Sequence, residues 1–180
     1  MLVGLGIAKA FQRTSRDLDS ATRGARKRKS PVRLMKPKNF ISYEDPKKRF
    51  ELHYPSDWTL EKHNGIHISS SKIFSFARVD VGKDEKRIWS HVKKRIEEAG
   101  GEMKLERRQA GSPEKVRGEV SMEGIRFRYD GYAWHLGKEA VILSMGNVIE
   151  PKRSRAIEKF EDTILEGIRR HFWVNQEKKS

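Results

Sequence analysis

Among the six histidines, His63 and His67 form the only close pair, and four-residue spacing would align two imidazoles for a metal ion if they sat on one helix. Asn64-Gly65 lies between them, so they are expected to flank a turn, and no carboxylate stands in a fixed relation to complete a ligand set. A small-molecule enzyme would need His53, His63 or His67 to cluster in one deep polar pocket. The acidic pairs Glu97-Glu98 and Glu161-Asp162 fall on the polar sides of predicted helices, beside Lys93, Lys94 and Lys159, and read as solvated faces with weak ion pairs. The chain has no cysteine, which excludes disulfide scaffolds, thiolate metal sites and cysteine nucleophiles. Metalloprotease, nucleophile-elbow, phosphate-loop and zinc-knuckle patterns are absent from the sequence. The expectation is a non-catalytic protein with no cofactor and no metal.

Ile125 to Trp134 interleaves arginines with aromatic rings, the pattern by which nucleic-acid binders place cations on phosphate and rings under bases. Period-two alternation sends Ile125, Phe127 and Tyr129 to one side and Arg126, Arg128 and Asp130 to the other, so the rings are expected in the core. Arg126 and Arg128 would then join Arg107 and Arg108 on a positive outer face. Tyr54, Trp58, Trp89 and Trp134 are read as packing residues, Trp58 as the one partly exposed at an edge. Trp173, past the last helical turn, is a second candidate surface contact.

The charge is concentrated at one end. Residues 1–38 hold 11 Lys and Arg against 2 acidic residues, a net +9 of the chain's +14, whereas residues 39–180 carry +5. Within this arm Ile7, Phe11, Leu18 and Ala21 share a helical stripe, with Lys9, Arg13, Arg16 and Arg23 around it. Arg26-Lys27-Arg28-Lys29-Ser30-Pro31 and Lys36-Pro37-Lys38 follow, a linker-like stretch with no apolar periodicity. Such a segment cannot bury its own core and is expected to order on a partner. Arg13, Arg16, Arg23, Arg26, Lys27, Arg28 and Lys29 would supply charge, and Ile7, Phe11 and Leu18 an apolar anchor. A larger protein complex is the first partner. Sequence-independent contact with the nucleic-acid backbone and attachment to an anionic membrane surface are the alternatives, and a nuclear-localisation or organelle-targeting role stays open. No stretch approaches the ~20 apolar residues of a membrane-spanning helix, so the chain is read as intracellular, soluble or peripherally attached.

From Asn39 the texture changes to short alternating runs, predicting strands at 40–44, 49–54, 58–62, 65–70 and 73–81. Asp84 can cap a following helix whose Ile88, Val92, Ile96 and Ala99 share a face and which Gly100-Gly101 ends. Strands near 103–109, 116–122, 125–135 and 139–148, with Glu123-Gly124 and Gly137-Lys138 as turns, predict an antiparallel meander. Pro151 fits the first turn of a second helix, whose apolar face Ile157, Phe160, Ile164, Leu165 and Ile168 runs to Phe172 and Trp173. The fold class is α+β, an antiparallel sheet with helices packed on it in an α/β/α sandwich. The expected organisation is an arm over 1–38, one globular domain over 39–175 and a polar tail over 176–180.

Tyr43-Glu44-Asp45-Pro46, the alternating strand Phe50, Leu52, Tyr54, and then Tyr54-Pro55-Ser56-Asp57-Trp58 resemble the opening of the PsbP-like domain family. That family includes the extrinsic photosystem subunit and shares its fold with a Ran-binding nuclear import factor and the bacterial lipoprotein DcrB. The resemblance spans roughly residues 40–172 and implies the same sandwich, with a binding role and no catalytic turnover. The secreted members' cleavable export signal and lipobox cysteine are not seen in this sequence.

Overall fold

The computed structural model of the protein describes residues 39–70, 75–83, 87–150 and 154–175. A hairpin opens it: β1 (Phe40–Glu44) pairs antiparallel with β2 (Phe50–Pro55), Tyr43 opposite Leu52. Asp45 builds the turn. Its carboxylate accepts from the Arg49 backbone N–H at 3.2 Å and from Arg49 Nε and Nη2 at 2.8 and 3.0 Å, while Lys48 takes a positive φ of 55°. The Arg49 guanidinium holds the Asp45 carboxyl below its usual range, against the opposing effect of burial.

Seven further strands form the main sheet: β3 (Thr59–Lys62), β4 (Ile66–Ser69), β5 (Ser75–Lys83), β6 (Gly101–Gln109), β7 (Glu114–Met122), β8 (Ile125–Leu136) and β9 (Glu139–Val148). Their order is β3-β4-β5-β9-β8-β7-β6, every neighbouring pair antiparallel, so the last four make the expected meander. The central strand β9 is apolar along Ala140-Val141-Ile142-Leu143, and nine of its ten residues are buried, as a strand covered on both faces requires.

Alternation along β9 divides the core in two. Val141, Leu143 and Met145 face one layer, Ala140 and Ile142 the other. The second layer is helix α1 (Ile88–Glu98), which lays Ile88, Trp89 and Ile96 on the sheet. Trp89 fits because Gly131 on β8 has no side chain: a Cβ there would lie 2.7 Å from the indole. The first layer is helix α2 (Arg155–Arg170), burying Phe160, Ile164, Leu165 and Ile168, together with the small sheet. Leu52, Leu143 and Ile168 are wholly buried there, each worth about 1.5–3 kcal/mol.

The α+β sandwich is therefore present, with four departures from the sequence reading. The α2 face does not run on to Phe172 and Trp173, because the chain turns at His171 and those residues form β10 (Phe172–Val174), which pairs with β2. The first hairpin thus belongs to a separate three-stranded sheet, β1-β2-β10, and not to the main one. Asp84 and Pro151 lie outside the described residues, and the helix caps fall elsewhere. Arg87 starts α1 without a side-chain cap, and the Ser154 hydroxyl accepts from Ile157 N–H at α2. Gly100, with φ of 81°, does end α1. Among the described residues no helix is long and apolar enough to cross a membrane.

Candidate functional site

β4 and β5 each send one face to α2 and the other to α1. Ile66, Ile68, Ala77 and Val79 pack into the α2 layer, which leaves His67, Phe76, Arg78 and Asp80 on the α1 side. On α1, Val92 and Ile96 share a stripe with Arg95 beside it. These residues meet around a recess of about 70 Å³ between the C-terminal half of the helix and the sheet. Val120 and Met122 of β7 make it apolar, and Tyr129 of β8 and Ser144 of β9 bring hydroxyls to it.

Its polar groups are fixed unequally. Arg78 Nε donates to both Asp80 oxygens at 3.0 and 2.9 Å, and Nη2 donates to Asp80 at 2.8 Å and to the Asn64 carbonyl. Arg95 approaches the same carboxylate only at 3.7 Å and makes no side-chain hydrogen bond among the described residues. Tyr129 and Ser144 share a buried hydrogen bond of 2.8 Å. Burial, helped by the Arg78 charge, pushes the His67 imidazole down to about 4, so it is neutral at physiological pH. Burial raises the Tyr129 phenol, which stays protonated. The recess thus presents two guanidinium charges against one carboxylate. His67 stacks on Phe76 at 6.1 Å between ring centroids, and among the described residues no hydrogen bond joins it to Ser144 or Tyr129. The arrangement can hold a ligand but carries no activated hydroxyl.

The three histidines named as candidates do not meet. His63 lies in the turn between β3 and β4, where Asn64 and Gly65 take positive φ, as expected from Asn64-Gly65. His53 sits on β2 beside Glu51 at 3.0 Å, and its ring faces His171 at 6.1 Å. Among the described residues no three His, Cys, Asp or Glu side chains group to hold a metal.

Trp58, expected at an exposed edge, is 5% exposed in the α2 core. After β2 ends at Pro55 the chain turns, Trp58 N–H donating to the Pro55 carbonyl at 3.0 Å, and the indole joins the core cluster. Trp173 is 62% exposed on β10. Phe127 and Tyr129 are buried, as alternation required. Arg126 and Arg128 lie on the face opposite those rings, with side chains 57% and 41% exposed. Arg126 stands 3.8 Å from Glu119, and Arg128 lies on the α2 side, 3.6 Å from Asp162. Arg108 pairs with Glu114. Glu97 and Glu98 are exposed with Lys93 and Lys94 at 3.7 and 3.8 Å, whereas Glu161, read as solvated, is fully buried. The arm residues Ile7, Phe11, Arg13, Arg16, Leu18, Arg23, Arg26, Lys27, Arg28 and Lys29 lie outside the described residues.

Arg78, Asp80, Arg95 and Ser144 were not singled out from sequence, and Tyr129 was read only as a core ring. The available signal was Arg78 and Asp80 two apart on a strand whose other face is Ala77 and Val79, a pattern shared by any half-solvated strand.

No family model matches the chain, and no curated protein does. Among solved structures the chain is similar to a crystal structure from Bacteroides thetaiotaomicron at 16% identity and TM-score 0.44, covering 77% of this chain and only 50% of that one. It is also similar to the Ran-binding protein Mog1p of Saccharomyces cerevisiae at 16% identity and TM-score 0.49, covering 76% of this chain and 95% of that one. A point mutant of protein Mog1 matches at 14% identity and TM-score 0.49, over 77% of this chain and 97% of that one.

Proposed function

We propose that the protein is a non-catalytic accessory subunit: a folded body over residues 39–175 held on a larger protein assembly by the basic arm over residues 1–38. The observation that carries this reading is the segregation of charge, a net +9 in the first 38 residues against +5 in the rest. Supporting it, the described residues build two apolar clusters, one beneath each helix. A cationic segment joined to a body of this kind adds long-range attraction to an acidic surface, while Ile7, Phe11 and Leu18 supply the apolar contact that confers residence.

Deletion of residues 1–38 is the test. The shortened chain should melt cooperatively, within a few degrees of the full chain, and should lose the proteins that co-purify with the full chain from its source. Retention of the same proteins overturns the reading. Nuclease-sensitive recovery that falls steeply with salt would overturn it too, in favour of phosphate-backbone binding by the arm.

A further inference from the structure

The recess under α1 has a composition that an unliganded core does not need. An apolar cavity within a sandwich is normally closed by larger side chains, because each void forfeits dispersion contacts. Here about 70 Å³ stays open, several times the roughly 10–15 Å³ that one ordered water requires on the same measure. Four of the side chains around it, Val92, Ile96, Val120 and Met122, are apolar and offer water no strong hydrogen bonds. Water is a poor occupant of that part of the space.

The polar side of the recess is equally selective. Asp80 is held by three hydrogen bonds from Arg78, whose Nη2 also donates to the Asn64 carbonyl, so this pair is fixed and internally neutral. Arg95 is the surplus cation. Its guanidinium has five N–H donors and, among the described residues, only the 3.7 Å approach to Asp80. Its side chain is 23% exposed, so it sits at the mouth with its charge partly desolvated. A cation placed so, beside an apolar cavity and short of acceptors, favours an anion with an apolar body.

We propose that this recess binds a small organic monoanion, an aliphatic or aromatic carboxylate, with its apolar body between Val92, Val120 and Met122 and its carboxylate on the Arg95 guanidinium. One negative charge matches the one unbalanced positive charge; a dianionic phosphate would exceed it and would leave the apolar wall uncovered. Phe76 and His67 form the aromatic end, and the neutral imidazole does not compete for the anion. The assignment rests on residues of the body, so it stands or falls apart from the docking role.

The experiment uses the full chain, with hexanoate as the probe and hexanamide as its neutral isostere, read by methyl and histidine NMR. Hexanoate should give saturable shifts at Val92, Ile96, Met122 and His67, and hexanamide should bind about tenfold more weakly or worse, the difference expected of a charge-assisted contact. Arg95→Gln should lower hexanoate affinity by about the same factor and leave hexanamide unchanged. Val92→Trp, which fills the space and keeps Arg95, should abolish both. Inorganic phosphate should fail to displace hexanoate. Absence of saturable shifts overturns the assignment, as do equal affinities for hexanoate and hexanamide, undiminished binding by Arg95→Gln or Val92→Trp, or displacement by phosphate.

Discussion

Arg78 and Asp80, two residues apart on β5, bind each other through three hydrogen bonds of 2.8–3.0 Å, with side-chain exposures of 10% and 16%. Neighbours on one strand face share this spacing, and the Asn64 carbonyl closes the geometry from the β3–β4 turn. Removing one partner leaves a nearly buried charge uncompensated. Asp80→Asn should therefore destabilise the protein by about 3 kcal/mol in urea denaturation. The double variant Arg78→Met with Asp80→Leu should lose clearly less than the two single losses together. Additive losses would show that the pair does not act as a unit.

His67 gives the stability curve an acid limb. Its folded value of about 4 lies below the ordinary 6.5, so between those two pH values the unfolded chain binds the extra proton. Stability present above pH 6.5 is lost as pH falls through that window, by about 3 kcal/mol at full loss. Urea midpoints measured across the window should slope for the wild type and flatten for His67→Leu. An unchanged slope would place the titration elsewhere.

Trp58 and Trp173 are the same side chain in opposite settings, 5% and 62% exposed. Trp58→Ala removes a full indole from the α2 core and should cost about 3–5 kcal/mol. Trp173→Ala, on the solvent side of β10, should change stability by about 0.5 kcal/mol or less. Tryptophan fluorescence should agree, with iodide quenching reduced in Trp173→Ala and preserved in Trp58→Ala.

The strands and the meander were legible because their period-two alternation is local, and Glu123-Gly124 and Gly137-Lys138 mark their turns. Partition into two sheets was not legible. The β2 sequence fits either sheet, and the choice depends on Phe172 returning from the far end of the chain to lie opposite Leu52. Glu161 was misread because helical periodicity marks it polar-facing while the packing of α2 on β9 buries the flank as well as the stripe. The recess was illegible for a similar reason: Arg78 and Asp80 occupy a strand face that reads as solvated until α1 crosses it. Arg95 becomes notable only through its distance to Asp80.

Gly131 is required by Trp89, not by any backbone conformation, since a Cβ at that position would lie 2.7 and 2.8 Å from two indole carbons and 2.9 Å from Val116. Both neighbours are buried and cannot yield cheaply. Gly131→Ala should cost about 1–3 kcal/mol, the range for overpacking a closed core. Trp89→Leu should relieve most of that cost in the double variant, although it destabilises the protein alone. A double variant no better than the additive sum would mean that the glycine serves strand pairing and not the indole.

The Asp45 carboxylate, 7% exposed, is bound by Arg49 through one backbone and two side-chain donors and reinforces a first turn also closed by the backbone bonds Asp45 N–H to Phe50 and Lys48 N–H to Asp45. Asp45→Asn keeps the shape but loses the charge, and an amide cannot accept from all three donors at once. The expected loss is about 1.5–3 kcal/mol, that of a hydrogen bond to a charged group. The sign of its pH dependence follows from the lowered folded value. Wild-type stability from this group is present above the ordinary 3.8 and disappears as pH falls through the folded value, whereas the variant lacks that limb. Because β2 joins both β1 and β10, the damage should reach the far terminus. Amide exchange in Phe172–Val174 should accelerate together with that in Phe40–Glu44, and protection retained in β10 alone would show that its pairing does not depend on the first hairpin.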